Sequence, residues 1–181
     1  MKSFYTLIAD KYDSMYADEK FKKEDESLKL ILRRFIYNGT VLDIGCGTGH
    51  LLEIVNIDSK KYLGIDPCCK MILLAKRKFP AYNFKCGSVL DLNQVYDNII
   101  ALYGVASYLN LEEIDKIKSL LNVNYFLMFY RLGYIPYCYK VTGREYYIKY
   151  WKSSPDIING FPNKKRITFT NYEVVTNRED I

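Results

Sequence analysis

The stretch Asp43-Ile44-Gly45-Cys46-Gly47-Thr48-Gly49 sets three glycines at alternate positions directly after a short apolar run. Glycine there lets a backbone turn sharply and lets a ligand approach with no Cβ in the way. Where a helix follows, its unpaired N–H groups and positive dipole end favour an anionic or polar ligand group at the turn. The chemistry is that of nucleotide binding, and spacing sorts the nucleotide classes. A dinucleotide loop reads G-x-G-x-x-G and a P-loop ends in Gly-Lys-Ser/Thr, whereas this loop is G-x-G-x-G with His50 next. Asp66 stands 21 positions after Gly45, at the end of a second apolar run, which puts a carboxylate beside the glycine loop where it can accept from both hydroxyls of a ribose. Loop and acid together are far more specific than either alone.

Those residues need elements to hold them, and the surrounding sequence supplies an alternation. Val41 to Ile44 is a β-branched apolar run that reads as a buried parallel strand, followed by a helix from His50 to Val55. The pattern repeats with Tyr62 to Ile65 as a strand, Cys68 to Lys78 as a helix, Tyr82 to Phe84 as a strand and Asp97 to Tyr103 as a long apolar strand. Leu111 to Leu121 reads as a helix with Asn110 as its N-cap and Glu112 and Glu113 in its first turn, and Tyr125 to Tyr130 closes the series as a strand. Upstream, Phe4 to Phe35 carries apolar residues at helical spacing in two amphipathic helices, with 18–26 as a solvated turn or first helical turn between them. Downstream, Arg166 to Thr170 and Tyr172 to Thr176 read as two short strands around Asn171. The predicted fold is one α/β domain over 1–181. A Rossmann-like, doubly wound, mostly parallel seven-stranded sheet carries helices on both faces and an antiparallel last strand. Residues 1–38 form a helical lid, 39–131 the cofactor-binding core, and 132–181 a substrate-side segment with the last strands.

Composition narrows the partners. No stretch approaches the roughly 20 apolar residues of a membrane span, and the first residues run quickly into charges, so membrane and secreted readings fall away. The net charge of +5 and the 18 tyrosines are accounted for by a sequence rich in Lys, Ile, Tyr, Asn and Phe and poor in Ala, as A/T-rich codons produce. Five cysteines without a C-x-x-C pair suggest neither a disulfide framework nor a zinc site, and point to reduced thiols in a cytoplasm. No metal is required.

The sequence resembles the class I S-adenosylmethionine-dependent methyltransferases over roughly residues 5–130. Val41 to Gly49 looks like that family's first motif. Gly64-Ile65-Asp66-Pro67-Cys68-Cys69-Lys70-Met71-Ile72 is similar to its acidic second-strand motif, and Tyr96 to Leu109 to the fourth-strand motif that ends at the methyl-transfer site. Ile8-Ala9-Asp10-Lys11-Tyr12-Asp13 resembles an entry helix that closes over the cofactor. The resemblance implies S-adenosyl-L-methionine as cofactor. Gly45, Cys46, Gly47 and Gly49 would then meet its methionine part, Asp43 would order the loop, Asp66 would bind the ribose, Pro67 and Met71 would flank adenine, and Ser88 and Val89 would contact its edge. Tyr12 and Tyr103 would shape the cofactor site. Ser88 departs from the aspartate common there, and a hydroxyl accepts without charge.

Tyr12, Tyr103 and Tyr108 are the weak candidates for a catalytic part, and packing or cofactor shaping suits them better, because a phenol with a pKa of about 10 is poorly matched to neutral pH. His50 reads as a solvated first-turn residue. A sulfonium is already an activated donor, so positioning and exclusion of water can supply much of the acceleration without a base. The leading function is transfer of a methyl group to an oxygen or nitrogen of a small-molecule acceptor. A second reading makes the acceptor RNA, held by the basic and aromatic residues of 133–166, and a third is a non-catalytic cofactor-binding subunit or sensor. DNA base methylation is disfavoured, since neither an Asn/Asp-Pro-Pro-aromatic run nor paired motif cysteines are present.

Overall fold

The computed structural model describes residues 4–15, 17, 19–36, 38–130, 138–141, 144–147, 161, 165–168 and 172–180. The chain opens with short helices α1 (Phe4–Ile8) and α2 (Tyr12–Met15), joined by a 3-10 turn, and then runs through the long helix α3 (Glu19–Phe35). Strands β1 (Val41–Ile44), β2 (Tyr62–Asp66), β3 (Asn83–Cys86), β4 (Tyr96–Ala101) and β5 (Leu121–Tyr130) follow. They alternate with α4 (Leu51–Ile54), α5 (Cys69–Lys78) and, between β4 and β5, α6 (Leu111–Leu120). A hairpin of β6 (Cys138–Val141) and β7 (Arg144–Tyr147) stands apart from the main sheet, and β8 (Lys165–Thr168) and β9 (Tyr172–Thr176) end the series.

The main sheet has seven strands in the order β3-β2-β1-β4-β5-β9-β8. The first five are parallel, β9 runs antiparallel to β5, and β8 runs antiparallel to β9. The sequence path reverses between β1 and β4, and a crevice opens at the carboxyl ends of strands at such a switch point. All four residues of β1 are buried, as a central parallel strand covered on both faces requires.

Alternation along the strands sorts the core into two layers. Leu42, Ile44, Ile99, Tyr125 and Leu127 face α6, whose Ile114, Ile117 and Leu120 meet them. Val41, Ile100, Phe126 and Met128 face the other way, toward Leu28, Leu32 and Phe35 of α3. These three lie at i, i+4 and i+7 and are fully buried, while Leu30 on the opposite side is 67% exposed, so α3 carries one apolar stripe and turns its charges outward. Asp43 shares the face of Val41 and is therefore carried into the core beneath the glycine loop.

Several sequence expectations shift. The segment from residue 19 to 26 is already helical, part of one α3. Strand β4 stops at Ala101 instead of Tyr103, because Tyr103 takes a φ of 49°, which no strand residue adopts. Strand β3 continues to Cys86 because Cys86 pairs with Asp66 of β2. That pairing also corrects the expectation of reduced thiols throughout. With Cys69 in the first turn of α5 after β2, the two Cα atoms come within 5.0 Å and Cys69 and Cys86 form a disulfide, while Cys46 and Cys68 are free and buried. Parallel pairing of neighbouring strands makes this contact, and no cysteine spacing signals it. Peptide mapping of protein denatured without reductant should recover residues 69 and 86 in one cross-linked pair; two separate alkylated peptides would refute the bridge. The pairing of β6 with β7 adds a hairpin to the expected elements, and of the basic cluster in 133–166, Lys149, Lys152 and Lys164 lie outside the described residues.

Candidate active site

A cavity of about 370 Å³ opens at the carboxyl ends of β1, β2 and β4, within the usual range for small-ligand sites of about 300–1,000 Å³. The glycine loop forms its floor. The N–H groups of Gly45 and Cys46 both donate to the carbonyl of Ile65, at 2.8 and 3.1 Å, which ties the loop to the end of β2. Gly47 has a φ of +53°, and a Cβ built on it would meet only Tyr12 Cε1, at 3.8 Å, so this residue turns its bare Cα toward the cavity. Gly49 differs. It does not line the cavity, and the space for its side chain is filled by the Phe79 ring at 2.9 Å.

Asp66 sits at the rim of the loop. Its Oδ2 accepts from the N–H of Gly47 at 3.0 Å and its Oδ1 from the N–H of Cys68 at 2.7 Å. Each carboxylate oxygen offers two acceptor directions, so one on each remains for a ligand. Burial raises the Asp66 carboxyl, against the pull of those two N–H groups. Behind the loop Asp43 is only 3% exposed and accepts from the Tyr62 hydroxyl at 2.8 Å. Burial pushes its carboxyl up to about 7, the neighbouring Asp66 adds to this, and the Tyr62 bond opposes it. Two adjacent carboxyls, Asp43 buried and Asp66 half-buried, make the floor of the cavity receptive to positive charge.

Beyond Asp66 the wall continues through Pro67, Cys68, Met71, Ser88 and Val89. Ser88 is held firmly: its N–H donates to Asp91 Oδ2 at 2.9 Å, and its hydroxyl donates to Glu113 Oε1 at 2.9 Å. Glu113 was read from sequence only as a first-turn acid, yet it lines the cavity. The signal that marks it is the capping box with Asn110, which fixes where its carboxylate stands.

The opposite end is aromatic. Tyr12, Tyr103 and Tyr108 all line the cavity, joined by Tyr5 and Tyr130, which sequence reasoning did not single out. The Tyr5 hydroxyl donates to that of Tyr108 at 3.4 Å. Tyr103 is the only non-glycine residue with positive φ among the described residues, and its hydroxyl donates to Asp25. Burial and that carboxylate hold its phenol far above the usual range, which removes it as a proton acceptor.

His50 also lines the cavity; it stands half-exposed at the start of α4, as its place in the sequence suggests, but it is held by two carboxylates. Its Nε2 lies 3.1 Å from Asp25 Oδ1 of α3 and its Nδ1 lies 2.6 Å from Glu53 Oε2 of α4. Thr48 Oγ1 donates to Asp13 Oδ1 at 2.5 Å, and Lys78 bridges Asp13 and Glu53 at 2.7 Å each. For Asp13, burial is outweighed by the hydrogen bonds from Lys78 and Thr48, which hold its carboxyl below the usual range. The N-terminal helices are thus fastened over the glycine loop by polar contacts at three points. A second cavity of about 260 Å³ lies under them, sharing Tyr12, His50 and Tyr103 with the first.

Residues 41–123 match the family described as a methyltransferase domain. The chain is 30% identical over 115 residues to the uncharacterized protein MJ1252 of Methanocaldococcus jannaschii, a match covering 62% of this chain and 43% of that protein, so it spans less than half the length of that relative. Among solved structures it resembles DhpI in complex with SAH, at 16% identity and a TM-score of 0.73 over 96% of this chain and 92% of that one. It also resembles PH0226 of Pyrococcus horikoshii OT3, at 15% identity and a TM-score of 0.67 over 97% and 98% of the two chains. SAM-bound CalS10, an amino pentose methyltransferase of Micromonospora echinaspora, gives 14% identity and 0.65 over 98% and 100%. At these identities the structural likeness speaks for the fold, and the domain match speaks for the motifs that line the cavity. The core of the chain, residues 41–123, thus matches a methyltransferase domain, and the fold around it is that of these S-adenosylmethionine-dependent methyltransferase neighbours.

Proposed function

We propose that this chain binds S-adenosyl-L-methionine and moves its methyl group to an oxygen or nitrogen of a small-molecule acceptor. The observation that carries the reading is the pairing of Gly47 with Asp66. A bare, left-handed glycine faces the cavity, and the carboxylate that holds its N–H keeps free acceptor directions on the same side. The residues fit the cofactor: Gly45, Cys46 and Gly47 would meet the methionine part, Asp66 the ribose hydroxyls, and Pro67, Met71, Ser88 and Val89 the adenine. Asp43 would support the loop from below, with Tyr12 and Tyr103 covering it. When bound, the cofactor supplies a methyl group already activated on a sulfonium. The chain's own part is positioning and exclusion of water. Asp43 and Asp66 favour a cation on the cavity floor, the ring of tyrosines dries the far end, and the fastened N-terminal helices close the top.

The neighbouring structures support a small acceptor: CalS10 is an amino pentose methyltransferase, and DhpI has been captured in a SAM-HEP complex. No observation among the described residues favours RNA, because Lys165 Nζ donates to the Glu179 carbonyl and Arg166 pairs with Glu173. Calorimetry with S-adenosylmethionine and S-adenosylhomocysteine tests the cofactor, and radiolabelled methyl transfer to panels of amines, hydroxyl compounds and RNA tests the acceptor. Wild-type protein that gives neither heat nor thermal shift with either compound would sink the reading. Binding without turnover on any acceptor would favour a sensor. Asp66→Ala should weaken binding by about 2 kcal/mol, since it deletes a charged acceptor for the ribose and releases the Gly47 N–H.

A further inference from the structure

Glu113 is the carboxylate on the cavity wall that the reading above leaves unused. It is the third residue of α6, and its Oε2 closes the helix cap by accepting from the Asn110 N–H at 3.0 Å. Its Oε1 accepts from the Ser88 hydroxyl at 2.9 Å. That hydroxyl also accepts from the Leu90 N–H at 3.3 Å, so its proton and one of its lone pairs are already engaged. A carboxylate oxygen has two acceptor directions, and Oε1 therefore keeps one, on a stretch of wall otherwise made apolar by Pro67, Met71, Val89 and Leu109. Both of its present partners come from the main chain or from a well-held side chain, so the carboxylate is fixed in place.

An apolar slot with a single oriented acceptor at its edge suits a flat base whose edge carries an N–H donor. A purine bearing an oxo group at the same position would set its own acceptor against the carboxylate, and sites built to pair a polar group reject analogues that leave it unpaired. We propose that Glu113 is a specificity-determining residue that takes the exocyclic amino group of adenine, oriented through Ser88, and thereby selects an adenosyl ligand over a 6-oxopurine one. This assignment rests on the cofactor reading above. It places the recognition of the base on α6, beyond the strands that hold the ribose and the methionine part.

The test compares S-adenosylhomocysteine with its deaminated analogue S-inosylhomocysteine by calorimetry, in the wild type and in E113Q. Glutamine is accepted in a capping box, so the helix cap survives the change, while its amide offers the 6-oxo group a donor. The wild type should prefer the adenosyl compound by about ten- to hundredfold, the worth of one hydrogen bond to a charged group. In E113Q the preference should collapse to within about threefold, through weaker adenosyl and stronger inosyl binding. A wild type that binds both compounds equally overturns the assignment and needs no variant to show it, and so does an E113Q protein that keeps the wild-type ratio. A wild type that binds neither compound removes the cofactor reading and this assignment together, whereas adenosyl binding without discrimination removes this assignment alone.

Discussion

Gly47→Val is expected to cut affinity for S-adenosylhomocysteine about a hundredfold or more while leaving the circular dichroism spectrum unchanged. Two effects add. The residue sits at a φ of +53°, where a β-branched side chain is strained by at least about 1–2 kcal/mol. Its nearest neighbour toward the cavity is Tyr12 Cε1 at 3.8 Å, so the new methyl groups project into the space the ligand needs and press on the helix that covers it. The fold should tolerate the change because no core side chain stands within reach. Calorimetry on a variant shown to be folded decides the matter: near-normal affinity would mean that this glycine serves only to turn the chain, and the cavity floor would have to be sought elsewhere.

Asp43 should make the ligand-free protein less stable as the pH rises. Its carboxyl titrates at about 7 in the folded chain, against an ordinary 3.8 when unfolded. Between those values the folded state holds a proton that the unfolded state has released, so stability is fully present below about pH 4 and is lost as pH rises through about 7. A displacement of about three units corresponds to roughly 4 kcal/mol. Asp43→Asn keeps an oxygen for the Tyr62 hydroxyl and removes the ionisation. The variant should therefore melt with the wild type at pH 4 and about 10 °C above it at pH 8. A Tm difference that does not change with pH would refute the buried ionisation as its cause. Saturating S-adenosylmethionine should narrow the gap at pH 8, because a cation on the cavity floor favours the carboxylate of the wild type.

The separation between what sequence determined and what folding decided follows from the range of the forces involved. Val41 to Ile44 could be read as a buried strand, and the loop after it as a ligand turn, because strand burial and glycine spacing are written over a few consecutive residues. Asp66 was legible for the same reason: one β-α-β unit fixes where its carboxylate must fall. Helix α6 and its Asn110 cap were legible from a local box of four residues, and the two C-terminal strands from their alternation. Where β4 ended was not, since Tyr103 is held at positive φ within a cluster that includes Asp25 and Tyr172, both remote in the chain. The Cys69–Cys86 bridge, the grip of Asp25 and Glu53 on His50, the bond from Thr48 to Asp13 and the seat of Glu113 beside Ser88 all join residues on different elements. Apart from Glu53, which lies one turn beyond His50, each partner becomes a neighbour only when strand order and the docking of α2, α3 and α6 are settled. The sequence alone thus marked the first strand's loop as a turn suited to a nucleotide-type ligand. Only the tertiary structure decided which distant side chains gather around that loop, among them Glu113 beside Ser88, because those contacts arise from burying apolar faces that carry no record of the polar groups they will bring together.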